Sequence, residues 1–164
     1  MLIVFIQISL LIMLAIEATR NFYIMALSDA LEKSLDDVPE GVAAGYLDLK
    51  TGEILGFSAI EDKPQEFLNV VATAVSELFE APLFKIFENM RTKNTIEEDF
   101  GENSFSEILL LGTKYITMLK RCDESPQHAV VYVAQKSTPP GILLMQVRNN
   151  LPSIESAVNS VNIS

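Results

Sequence analysis

The sequence predicts an α+β domain with helices on both faces of a five-stranded sheet, and three observations lead there. Its segments read in the order helix, strand, strand, helix, strand, strand, strand, helix. Two strand segments, "ILLL" at 108–111 and "AVVYVA" at 129–134, are apolar at consecutive positions, the pattern of strands covered on both sides. The middle helix, residues 64–80, carries apolar residues over an arc of roughly 200°, wider than the stripe of a little over 100° that one sheet can bury.

Taken in order, the first helix spans Ser28 to Leu35, with Leu27, Leu31 and Leu35 at four-residue spacing and Pro39 ending it. "PEGVAAGYLDLKTGEILGFSAI", Pro39 to Ile60, is a hairpin of strands 41–48 and 53–59. Lys50-Thr51-Gly52 supplies its turn, with Gly52 suited to positive φ. Gly41 and Gly45 lie within a strand, where a missing Cβ lets another backbone or helix come close. Pro64 opens the middle helix, whose Phe67, Val70, Val71, Ala74 and Leu78 share helical spacing with Leu68, Val75 and Phe79. "LFKIFENM" suggests a further short helix, and the polar run 92–103 reads as a mobile acidic loop. Three strands follow at 105–111, 114–121 and 129–136. Thr138 is placed as N-cap of the last helix with Pro139 at its first position. Leu144, Val147, Leu151, Ile154, Val158 and Val161 mark the helix's apolar face, and Pro152 is expected to kink or split it.

The chain of 164 residues suits one domain, placed at 25–164 after an apolar segment at 1–24. Its 12 basic and 22 acidic residues give a net charge of -10, a poor match for a nucleic-acid backbone. A lone cysteine, Cys122, rules out an intrachain disulfide and zinc sites built on paired thiolates, and suits a reducing, cytoplasmic setting. Met1 to Ile16, "MLIVFIQISLLIMLAI", is apolar almost throughout and lacks the basic start of a secretory signal. Three readings stay open for it: a short membrane anchor, a helix packed on the domain, or translated upstream sequence before a working start at Met25. Membrane association is expected only where residues 1–16 are retained.

Chemistry is scarce. Cys122 and His128 invite a thiol–imidazole pair, but the plainer reading sets them at the end of one strand and the start of the next, with no third group to orient the base. Asp36/Asp37 and Glu97/Glu98/Asp99 lack the alternating oxygen ligands and central glycine of a calcium loop, so solvated charge explains them better. No phosphate loop occurs, and Asn162-Ile163-Ser164 fits a glycosylation triplet without a secretory context. No catalytic, cofactor or metal residues are therefore assigned.

The hairpin "EGVAAGYLDLKTGEILG", the two-sided helix "PQEFLNVVATAVSELF" and the tail "FSEILLLGTKYITMLKRCDESPQHAVVYVAQKSTPPGILLMQVRNNL" together resemble the roadblock / dynein light chain domain family, a relative of longin and profilin-like folds. The resemblance covers about Met25 to Val158, with Gly141 where the family opens its last helix. It departs from the family at the long link 82–103 and at Pro152. The resemblance implies an antiparallel sheet with the middle helix on one face and the terminal helices on the other. It also implies a homodimer, or a heterodimer with a family paralogue, formed through the free edge of the third strand and the paired middle helices. Leu68, Val71, Val75, Leu78, Ile108 and Leu110 are the residues expected there. A non-enzymatic scaffold or regulator of a small Ras-like GTPase is the implied role. A membrane-tethered adaptor and a Cys122/His128 thiol enzyme are the alternatives.

Overall fold

The hairpin forms as its turn residues dictate. The computed structural model describes residues 2–60, 74, 75, 77–79 and 106–160, with side chains from Ile6 onward. Strand β1 (Gly41–Asp48) pairs antiparallel with β2 (Ile54–Ala59). Between them the Asp48 carboxylate accepts the Lys50 and Thr51 amides at 2.7 and 3.1 Å, and Gly52 takes φ 72°. The three later strands are β3 (Glu107–Leu111), β4 (Tyr115–Arg121) and β5 (His128–Gln135). They complete one sheet in the order β2-β1-β5-β4-β3, and all neighbouring pairs run antiparallel.

Side-chain alternation gives this sheet two cores. On one face, Ala44, Tyr46, Ile116, Met118, Val130 and Tyr132 meet Leu27, Leu31 and Leu35 of the N-terminal helix and Leu143, Val147, Leu151 and Ile154 of the C-terminal helix (Pro140–Asn159). The opposite face joins Leu47, Leu49, Leu119, Ala129 and Val131 to Val75 and Phe79, one helical turn apart. Both faces are thus covered at the centre of the sheet, as the consecutive apolar residues of β5 require. The rest of the middle helix, the segment 83–90 and the loop 92–103 lie outside the described residues.

Polar groups reinforce the first core. The Tyr132 hydroxyl, in a side chain with no exposure, donates to Ser34 Oγ at 2.6 Å, and Ser34 donates in turn to the Leu31 carbonyl at 2.8 Å. Every polar atom in that chain finds a partner, so burial costs it little. The link ties β5 to the N-terminal helix, and Asn150 Nδ2 reaches the Ser34 carbonyl at 3.4 Å from the C-terminal helix.

Four expectations need correction. The first helix is not a short element beginning at Ser28. It runs unbroken from Leu2 to Asp36, 35 residues, because neither proline nor glycine occurs before Pro39 to stop it. Its residues 6–22 are exposed, so the reading in which this segment packs on the domain fails. Thr138 does not cap the last helix: Pro139 holds the N-cap position without a side-chain bond, and the Thr138 hydroxyl donates instead to the Pro39 carbonyl at 2.8 Å. Pro152 does not split the helix. Leu151 and Ile154 beside it are fully buried, and that packing outweighs the one backbone bond proline removes.

Candidate interaction surface

The sheet has two edges, and they differ. β2 shows no fully exposed residue along its length, being intermediate or buried throughout. β3 exposes Leu109 at 39%, Leu110 at 40% and Leu111 at 71%. These exposures correct the expectation that "ILLL" is covered on both faces, whereas the free edge that the resemblance implies for the third strand is present: β3 is the outermost strand, hydrogen-bonded to β4 alone among the described residues. Three adjacent leucines, beside backbone amides and carbonyls that meet no second strand among the described residues, form an edge on which another strand can add.

Register sorts these leucines by face. Ile108 and Leu110 stand opposite Leu119 and Thr117, on the side of the second core. Leu109 and Leu111 stand opposite Met118 and Ile116, on the side of the terminal helices. Of the residues expected at a dimer surface, Ile108 and Leu78 are partly buried against the second core and Leu110 is exposed. Val75, 5% exposed, lies within that core. Leu68 and Val71 fall outside the described residues. Leu109 and Leu111 are not among the expected residues. Alternation along "ILLL" separates them from Ile108 and Leu110, but their exposure is visible only in the folded chain.

A polar clasp fixes the start of the edge strand. Arg148 of the C-terminal helix grips Glu107 with two of its three guanidinium nitrogens, Nε to Oε1 at 2.8 Å and Nη2 to Oε2 at 2.5 Å. Lys120 on β4 stands 3.7 Å from the same carboxylate and 3.0 Å from Asp123. The Arg148 hydrogen bonds hold the Glu107 carboxyl below its ordinary pKa. On the other face, the Arg121 guanidinium sits 4.9 Å over the Phe79 ring and donates to the Pro126 carbonyl at 2.7 Å.

The strand ladder brings Cys122 and His128 side by side, the Cys122 amide donating to the His128 carbonyl at 2.9 Å, and the Tyr46 hydroxyl stands between the thiol and the imidazole. Cys122 is 3% exposed, and burial pushes its thiol up to about 12, so it stays protonated at neutral pH and is no activated nucleophile. His128 Nδ1 bonds the Tyr46 hydroxyl at 2.9 Å, and its Nε2 lies 4.0 Å from Asp48. The two rings meet edge-on, with centroids 5.2 Å apart. No group of three or more metal-ligating side chains gathers among the described residues.

These titrations set a pH dependence. Burial lowers the His128 pKa below its ordinary 6.5, so the unfolded chain takes up this proton first and stability falls as pH drops below 6.5. Glu107 is also lowered, from 4.5, and its contribution, present above that value, is lost as pH falls further. Denaturant midpoints are expected to decline from neutral pH downward, first through His128 and then through Glu107, with Glu107→Gln reducing the decline at the lower pH. A midpoint that rises on acidification would contradict both assignments.

With the sheet order and helix placement established, the comparison with known proteins is informative. No protein-family model matches the chain, and no curated protein matches it by sequence. Solved structures do. MglB in a tetrameric arrangement superposes with a TM-score of 0.66 at 18% identity, over 85% of this chain and 92% of that one. The gliding protein MglB from Thermus thermophilus gives 0.65 at 18%, over 84% and 92%. A Roadblock/LC7 domain from Streptomyces avermitilis gives 0.60 at 10%, over 80% and 97%. The chain has the roadblock fold. At these identities the likeness is one of architecture, and it bears out the five-stranded antiparallel sheet with its helices.

Proposed function

We propose that this chain is a non-enzymatic, self-associating platform for binding another protein, with a small Ras-like GTPase as the first candidate partner. One observation carries the reading: the edge strand β3 presents Leu109, Leu110 and Leu111 to solvent. Antiparallel pairing of two such strands would merge two five-stranded sheets into one of ten. Leu78, Ile108 and Leu110 would contribute from the second-core side, joined by Leu68 and Val71 and backed from beneath by Val75. A paralogue with the same fold could take the twin's place. That a structurally similar protein, MglB, has been solved in a tetrameric arrangement favours association of this kind.

Switch regulation follows from the implied family role. A platform that fits one nucleotide state of a GTPase better than the other stabilises that state by the difference in binding. We place the domain in the cytoplasm, where such a partner and a reduced Cys122 belong. The test is a pull-down with the full-length chain in mild non-ionic detergent, run with GDP and with a non-hydrolysable GTP analogue. A GTPase recovered preferentially in one lane is the expected result. Recovery of the same proteins in both lanes, none a GTPase, would remove the switch and leave the scaffold.

A further inference from the structure

We propose that the N-terminal helix is a bilayer anchor whose embedded part is the stretch up to Ile16, and that the partner of its exposed surface is lipid hydrocarbon. The first argument is the distribution of its side chains. Between Leu2 and Ile16 the polar residues are Gln7 and Ser9. At 3.6 residues per turn they point about 160° apart, so no polar face exists. A helix docking on a protein from water needs an apolar stripe and a polar back. One that is apolar all round needs an apolar environment on every side.

The second argument is exposure. Ile6, Leu11, Met13 and Ile16 are 60%, 72%, 64% and 60% exposed, although the same helix is fully buried at Leu27 and Leu31. Length is the third. From Met1 to Ile16 the segment carries no charge and would extend about 24 Å, most of the roughly 30 Å of a bilayer's hydrocarbon core. Its first charges, Glu17 and Arg20, then fall at the headgroups. By length and composition the helix qualifies as a membrane span.

Continuity adds a consequence. The helix runs without a break from the anchor into the core, so about 16 Å of rigid helix separates Ile16 from Leu27. The domain is held beside the membrane on a stiff post rather than a flexible tether.

The test is flotation of the full chain with neutral phosphatidylcholine vesicles, washed in high salt and alkaline carbonate. Two double variants carry it: Ile8→Glu with Ile12→Glu, and Leu10→Glu with Leu14→Glu. The two pairs lie on opposite sides of the helix, about 160° apart. All four residues are more than half exposed, so the fold of the domain is unaffected. The wild-type chain is expected to float and resist both washes, and each pair to reduce the floated fraction at least about tenfold. Mass spectrometry of cell membranes is expected to recover peptides N-terminal to Met25. A wild-type chain that stays in the aqueous layer would overturn the proposal. So would loss of flotation with one pair alone, which marks a protein partner or an in-plane helix, and so would membranes lacking those peptides.

Discussion

Leu27→Ala is expected to destabilise the chain by about 2–5 kcal/mol, and Gly56→Ala by about 1–3 kcal/mol, yet the double variant should cost clearly less than the sum. The reason is a single close approach. A Cβ built on Gly56 of β2 would fall 2.6 Å from both Cγ and Cδ2 of Leu27 and 3.1 Å from Cδ1 of Leu31. Both leucines have no exposure, so neither can swing aside into solvent. Removing the Leu27 branch vacates the volume the new methyl group would enter, which predicts a favourable coupling of about 0.5–3 kcal/mol. Denaturant unfolding of the two single variants and the double variant measures it. Additive costs would mean that the helix does not lie against β2 at this point.

That contact also shows what the sequence can and cannot disclose. Gly41 and Gly45 are the strand glycines expected at sites of close approach, and a Cβ at Gly41 would indeed come within 2.8 Å of Leu35 Cδ1. Gly45 instead faces its cross-strand neighbour Val131 at 3.0 Å. The tightest helix approach is at Gly56, which reads locally as an ordinary strand residue. Which glycine a helix crosses depends on crossing position, and no local pattern encodes that. Strand positions are legible because turn chemistry is local: Gly52 and the Asp48 carboxylate fix the hairpin whatever surrounds it. The start of the first helix is misleading because the four-residue spacing of Leu27, Leu31 and Leu35 marks only the part that packs on the sheet, whereas an uninterrupted run of helix-compatible residues extends it to Leu2. At the last helix, two successive prolines without N–H groups make a side-chain cap at Thr138 unnecessary.

The candidate surface is legible in part for the same reason. The surplus apolar arc of the middle helix and the run "ILLL" both signal more hydrophobic surface than one chain can bury. Which end of the sheet carries it is a matter of topology. β5 inserts between β1 and β4, so "AVVYVA" is paired along both edges and buried at every position but Val133, while "ILLL", equally apolar, is left at the rim.

Leu110→Lys is expected to separate the two halves of the proposed dimer without harming the fold. Leu110 is 40% exposed and stands opposite Thr117, so a lysine there can reach water with little loss of packing. In a twofold interface the substitution occurs twice and sets like charges near each other. Hydrophobic anchors in such centres are worth about 2 kcal/mol or more, which corresponds to a dissociation constant raised at least about 30-fold. Ile60→Lys is the control: it is 73% exposed just beyond β2, at the opposite edge of the sheet. Sedimentation velocity of the full chain in mild detergent, over a micromolar dilution series, distinguishes the outcomes. A wild-type dimer lost with Leu110→Lys and kept with Ile60→Lys assigns the edge. A wild-type monomer would sink self-association altogether. A dimer broken by Ile60→Lys instead would move the interface to β2, whose residues are less exposed than the three leucines, so that area at the edge would no longer be the deciding quantity.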